Sequence, residues 1–165
     1  MADLKKSFPT DPAKGTVCLA AGGVFLVTGI ALAASAHWIG AVIFLLVSLP
    51  YLFMGLWNFT VIVLSDQGVS RCVLGKTLKH FSWDEIREVG VTGTRVFNRR
   101  KKEKTGRIYL YFSPRILTED DRFEMALRWP AFDKPYTLYD PEKVRELRQY
   151  WTGPIAEHNT GDLSI

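Results

Sequence analysis

Residues 15–65 read GTVCLAAGGVFLVTGIALAASAHWIGAVIFLLVSLPYLFMGLWNFTVIVLS, a run of 51 residues without Asp, Glu, Lys or Arg. About 20 apolar residues cross the hydrocarbon core of a bilayer, so this run is long enough for two passages. Two spans are expected, at 16–36 and 38–57, joined at His37 and Trp38. A turn this short makes the spans antiparallel and returns the chain to the side it left. No ionisable side chain falls at mid-membrane depth, which argues against a proton relay or an ion path.

The basic residues give the orientation. Lys5, Lys6 and Lys14 precede the run, Arg71, Lys76 and Lys79 follow it, and the connecting turn has neither Lys nor Arg. The positive-inside bias puts the N-terminus, the C-terminus and the soluble part in the cytoplasm, as expected for a multi-pass protein of the cell inner (plasma) membrane. Two reduced cysteines, Cys18 and Cys72, fit that compartment. A signal peptide ending at Ala34-Ser35-Ala36 is the rival reading, but the apolar run resumes at Ile39.

Within the spans, Gly15, Gly22, Gly29 and Ala36 recur every seven residues. Such a stripe lets helix backbones approach closely, either span on span or against another subunit. Pro50 removes a backbone donor in the second span and is expected to kink it near Leu46.

The remainder has a different character. Residues 66–165 carry 18 Lys/Arg against 15 Asp/Glu, a net charge of +3. Short strands are expected at 58–64, 69–74, 77–81, 86–91, 94–97, 107–113, 126–129 and 136–139 in a meander broken by turns such as Asp66-Gln67-Gly68. Ser82 with Glu85 has a capping-box spacing. Ile108, Leu110 and Phe112 alternate with Tyr109 and Tyr111, as in a half-buried strand. Asp140 as N-cap, Pro141 at the first helical position and Val144, Leu147 and Trp151 on one face predict a helix over 141–151. The organisation is then a cytoplasmic tail (1–15), a transmembrane hairpin (16–57), a β domain with its closing helix (58–153) and a flexible tail (154–165).

The run Val61-Ile62-Val63-Leu64-Ser65-Asp66-Gln67-Gly68-Val69, a second strand, and then Phe81-Ser82-Trp83-Asp84-Glu85-Ile86 resembles small bacterial membrane proteins with a pleckstrin-homology-like (PH-like) domain. The resemblance covers about residues 59–91, and the helix at 141–151 agrees in position. It implies a seven-stranded, strongly bent antiparallel barrel capped by the C-terminal helix. The chain departs from that pattern at 114–124, where an acidic stretch replaces a short turn.

The strongest charge feature is Arg95, Arg99, Arg100, Lys101, Lys102, Lys104 and Arg107, seven basic residues around the single acid Glu103. A local net of +6 beside a membrane anchor suits anionic lipid headgroups or an acidic partner, at about 1 kcal/mol per Lys or Arg near the surface. Nucleic acid is not expected, because no aromatic interleaving or recognition motif accompanies the charge. Glu119-Asp120-Asp121-Arg122-Phe123-Glu124 could bind a divalent cation, but its spacing is that of a solvated turn. Trp83, Trp129 and Trp151 are expected in the core.

No nucleophile–base pair, phosphate loop or zinc motif stands out, and no cofactor or metal is expected. These residues favour a non-enzymatic, membrane-anchored PH-like domain that presents a cytoplasmic scaffolding surface at an anionic leaflet, with a protein partner or a second copy. An accessory subunit of a larger membrane complex is the alternative, and a metal-dependent enzyme a distant third.

Overall fold

The computed structural model describes residues 6–93, 96–98, 103–122 and 133–160. The chain divides into two compact units. One is Asp11–Thr60, and the other combines Met1–Thr10 with Val61–Ile165.

The first unit is a helical hairpin. Helix α1 (Pro12–Ala34) opens on Asp11, whose carboxylate accepts the Lys14 N–H at 3.0 Å, with Pro12 in the first turn. At 1.5 Å per residue it is about 35 Å long. Ala36 takes a left-handed conformation (φ 61°) and His37 N donates to Leu32 O at 2.9 Å, closing the turn. Helix α2 (Trp38–Asn58) runs on through Pro50. Both helices are long and apolar enough to cross a membrane. Their outward faces carry Val24, Ile30, Ile39, Leu46 and Leu56, all exposed, a surface suited to lipid rather than water.

The glycine stripe holds the two helices together. Gly15, Gly22 and Gly29 are the buried residues of α1. Gly22 meets Leu52 and Gly29 meets Leu45, while Gly15 meets Phe59. Helix α2 answers with its own seven-residue series, Ala41, Ser48 and Gly55, and Leu19 sits over Gly55. Each leucine thus fills the space left by a glycine opposite, which brings the backbones close. Ala36 is not part of this contact; it is exposed in the turn.

The second unit contains two four-stranded sheets. In the first, β1 (Lys6–Pro9), β2 (Val61–Ser65), β3 (Gly68–Val73) and β4 (Lys76–Ser82) are neighbours in that order, all antiparallel. In the second, β5 (Glu88–Gly93) is central, between β8 (Ile108–Ser113) and β10 (Ile155–His158); β9 (Tyr136–Leu138) lies beyond β8. Strand β10 runs parallel to β5. Strands β6 (Val96–Asn98) and β7 (Glu103–Thr105) form a separate two-stranded ribbon.

Helix α3 (Pro141–Leu147) begins on Asp140, which accepts the Glu142 N–H at 2.9 Å. Its Leu147 is fully buried among Ile62, Leu64, Val69, Val89, Val91, Leu110 and Phe112. Val69 comes from β3, and the others come from alternate positions on β2, β5 and β8, as period-two patterning requires. Burying each contributes about 1.5–3 kcal/mol. Trp83 and Trp151 pack against this core, and Trp83 Nε1 donates to Ser65 O at 2.9 Å.

Several expectations are corrected. The closed seven-stranded barrel is replaced by two separate sheets and a ribbon, ten strands among the described residues. Strand β8 is not half-buried. Tyr109 and Tyr111 face a second cluster with Tyr136 and Leu117, so both faces of the β5–β8 pair are covered. The tail expected at 1–15 contains β1, and the flexible tail expected at 154–165 contains β10. The final helix ends at Leu147, four residues earlier than expected. The Ser82–Glu85 spacing does form its bond, Glu85 accepting from Ser82 N at 2.8 Å, in a turn at 83–85. The strand expected at 126–129 and Trp129 lie outside the described residues.

The helix interlock predicts a position-specific sensitivity. A Cβ at Gly22 would lie 2.9 Å from Leu52 Cδ2 and 3.0 Å from its backbone N, whereas one at Gly23 meets nothing within 4 Å. Gly22→Val is expected to cost about 1–3 kcal/mol in SDS-induced unfolding of the purified protein. Gly23→Val should fall within about 0.5 kcal/mol of the parent. Equal losses at both positions would remove the interlock.

Candidate functional site

One end of the β unit gathers the features that bear on function. Strand β1 finishes and β2 starts with the pair Pro9↔Val61. The chain departs for the helices after Thr10 and returns at Val61. Val61 is also paired with Cys72 near the end of β3. The β3–β4 turn, Leu74-Gly75, follows Val73↔Lys76 and therefore projects from that same end. Both turn residues have positive φ, 46° for Leu74 and 79° for Gly75, the type I′ geometry that matches strand twist.

The second sheet brings its own turn to this end. Thr10 O accepts from Leu138 N at 2.8 Å, and Pro9 O accepts from Thr137 Oγ1 at 2.8 Å. Leu138 pairs with Tyr109, one residue from Ile108, and Ile108 pairs with Gly93. Gly93 and Ile108 are the root of the β6–β7 ribbon. So the root of the basic segment, the Leu74-Gly75 turn and both chain exits share one end of the unit. The β2–β3 turn, Asp66-Gln67, is at the other.

The seven basic residues divide as follows. Arg95, Arg99, Arg100, Lys101 and Lys102 lie outside the described residues. Lys104 is on β7, where its backbone pairs with Phe97. Arg107 is exposed at the root, after Gly106. Of the helix-packing set, Gly15, Gly22 and Gly29 do pack, and Ala36 does not.

The acidic stretch proves structural where it is described. Asp121 accepts from Thr118 N at 3.2 Å, Thr118 Oγ1 at 3.1 Å and Arg115 Nη2 at 3.1 Å. It caps the helical turn at 119–122. Among the described residues, no group of three or more His, Cys, Asp or Glu could hold a metal ion.

The sequence did not reveal the buried network behind that turn. Glu88, on β5, accepts from Arg122 Nη2 at 2.8 Å, Arg122 Nε at 3.1 Å and Leu117 N at 3.0 Å. Tyr111 Oη donates to Glu88 Oε1. Gly90, with no side chain, leaves room for the tyrosine hydroxyl. Burial opposes ionisation of Glu88, but the bonds from Arg122, Tyr111 and Leu117 outweigh it and hold its pKa below the ordinary value. Burial, then the bond to Glu88, raises Tyr111.

An open groove of about 580 Å³ runs over the outer face of β2–β4, past Val63, Ser70, Cys72, Thr77 and His80. Ser70 Oγ and His80 Nδ1 are 2.8 Å apart, as directly paired cross-strand residues. Among the described residues no carboxylate hydrogen-bonds the imidazole, so the orienting third group of a nucleophilic triad is missing there. On the core side of the same strands, Arg71 is buried and lies 4.7 Å from the centre of the Tyr136 ring. Burial pulls its pKa down to about 10, so it is charged at neutral pH.

No protein-family model, curated protein or solved structure matches the chain.

The Glu88 network sets an acid limit. Its folded pKa lies below the unfolded value of about 4.3. Its contribution is therefore complete above that value and is lost as pH falls through the folded pKa. Thermal unfolding of the detergent-solubilised chain, followed by tryptophan fluorescence from neutral to acid pH, should show a steeper acid loss for the parent than for Glu88→Gln. Parallel curves would assign the acid sensitivity elsewhere. Arg122→Met, which strands the carboxylate, is expected to cost about 3–5 kcal/mol at neutral pH.

Proposed function

We propose that the protein is a non-enzymatic, membrane-anchored domain that presents an interaction surface at the anionic cytoplasmic leaflet. The observation that carries this reading is the shared end of the β unit. The covalent exits toward two apolar helices and the root of the basic ribbon are neighbours. Only Phe59 and Thr60 separate α2 from β2, which leaves a short tether. The segment rooted there carries seven basic residues in its sequence, which would meet headgroups, and the positive-inside bias supplies the leaflet. The likeness to PH-like membrane proteins belongs to this proposal. The strand–turn–strand with Trp83 and the core-filling α3 support it, and the two separate sheets weigh against it.

An accessory subunit of a larger complex is the second reading. Its first motivation was the glycine stripe, and that stripe is occupied within the hairpin. The apolar outer faces of the helices still leave room for a partner. A metal-dependent enzyme has less support, because Asp121 is engaged by Thr118 and Arg115.

The test uses the full chain in lipid nanodiscs. A Thr105→Cys variant, with Cys18 and Cys72 replaced by Ala, carries an environment-sensitive fluorophore at the ribbon. Phosphatidylglycerol mixed into phosphatidylcholine should shift its emission to the blue. The shift should fade as salt shortens the Debye length from about 10 Å at 0.1 M to about 3 Å at 1 M. Charge reversal of Arg99, Arg100, Lys101 and Lys102 to Glu should abolish it. Emission indifferent to lipid charge would overturn the reading.

A further inference from the structure

We propose that the Leu74-Gly75 turn is a second membrane contact, in which Leu74 enters the headgroup–hydrocarbon boundary of the leaflet that the basic ribbon faces. This rests on the reading above and names a lipid surface as the ligand of a residue that reading did not use.

Leu74 is 99% exposed, the most exposed large hydrophobic residue described. A leucine so placed gains nothing in water. Its backbone is also costly, because φ 46° lies in the left-handed region. Gly, Asn and Asp adopt that region far more readily than a branched apolar residue. Local folding physics therefore disfavours leucine twice at this position, once by conformation and once by exposure. Burial of the side chain in lipid offsets both.

Position supplies the occupant. Cys72 is paired with Val61, the first residue after the return from the helices. Leu74 is two residues beyond Cys72, a reach of roughly 7 Å along an extended chain. The turn thus projects past the point where the chain leaves for the apolar hairpin. Its surroundings have the composition of an interfacial anchor. Leu78 is 51% exposed on β4 and Lys76, exposed, lies next to the turn, while Lys79 is held by Asp133 O at 2.8 Å. Apolar residues beside an exposed lysine suit a surface where the side chain enters lipid and the ammonium group remains among anionic headgroups. The opposite turn, Asp66-Gln67, is polar and acidic.

The experiment places one fluorophore at a time on the full chain with Cys18 and Cys72 replaced by Ala, through Leu74→Cys, Asp66→Cys or Thr105→Cys. Each is reconstituted into phosphatidylcholine–phosphatidylglycerol vesicles. Aqueous iodide and lipids brominated in the acyl chain serve as opposing quenchers. Position 74 is expected to lose iodide access by about tenfold relative to position 66, the preference of one fully buried leucine, and to be quenched by brominated lipid. A probe at Leu78→Cys should report the same contact and lose it on Leu74→Asp, which separates the turn's own preference from that of the dye. Equal iodide access at 74 and 66, with 105 at the interface, overturns this inference alone. Iodide protection at 74 without bromine quenching means a protein surface covers it and also overturns the lipid contact. Aqueous behaviour at both 105 and 74 instead removes the parent reading.

Discussion

The pair Pro9↔Val61 is the constraint on which the architecture rests. It joins two strands across an intervening unit of 50 residues, Asp11–Thr60. Closing a flexible loop of that length costs conformational entropy, rising slowly as the logarithm of length. Here the loop is not flexible. Two helices locked glycine against leucine already bring its ends together, and Asp11 N donates to Asn58 O at 3.1 Å. Formation of the hairpin therefore prepays most of the cost of the β1–β2 pairing. The same pairing restricts topology. A chain whose exit and return are neighbouring strands can cross a bilayer only an even number of times. Two helices long and apolar enough to cross satisfy that condition.

Away from the exits, the β unit depends on the burial of both faces of β5 and β8. One face completes the main core with Leu147. The other is covered by the tyrosine cluster and by the segment that reaches Arg122. A carboxylate buried at the edge of this layer would be costly without partners. Two side chains, Arg122 and Tyr111, and the Leu117 backbone N–H converge on Glu88 to satisfy it. The segment leading through Leu117 to Arg122 thus helps to cover a second layer. Among the described residues the two sheets stay separate and do not close into a barrel.

The parts visible in the sequence were those with local causes. The apolar run and its heptad glycines, the turn at Asp66-Gln67-Gly68, and the cap Asp140-Pro141 each declare themselves within a few residues. The parts that were not visible depend on remote partners. Lys6-Ser7-Phe8-Pro9 has no strand signature, and it becomes β1 only because β2 offers an edge. Ile155–His158 becomes β10 only because β5 has a free side. Leu74 read as the end of a strand, since Gly75-Lys76 alone looked like the turn. The register between β3 and β4 also shifts between Arg71 and Cys72, a long-range pairing detail with no local signature. At the candidate site, the basic charge was legible as composition. Its root beside Thr10 was not, because that placement comes from hydrogen bonds between residues more than 100 positions apart.

The energetics separate anchoring from orientation. Two apolar helices insert far more firmly than any surface attraction could hold a domain. The ribbon's charge is therefore superfluous for attachment, whether each Lys or Arg contributes about 1 kcal/mol or less. In the proposed arrangement, headgroup contacts bear instead on the attitude of the β unit at the leaflet. A few kcal/mol from headgroup contacts is small beside insertion but large beside thermal energy, enough to favour one attitude over the rest. In that arrangement the ribbon and the Leu74 turn meet the leaflet at separate points around the exits, and two contacts restrict the β unit's attitude to the lipid more than one. The faces turned from the lipid, including the groove past Ser70 and His80, would then be held at a fixed height and direction for whatever meets them.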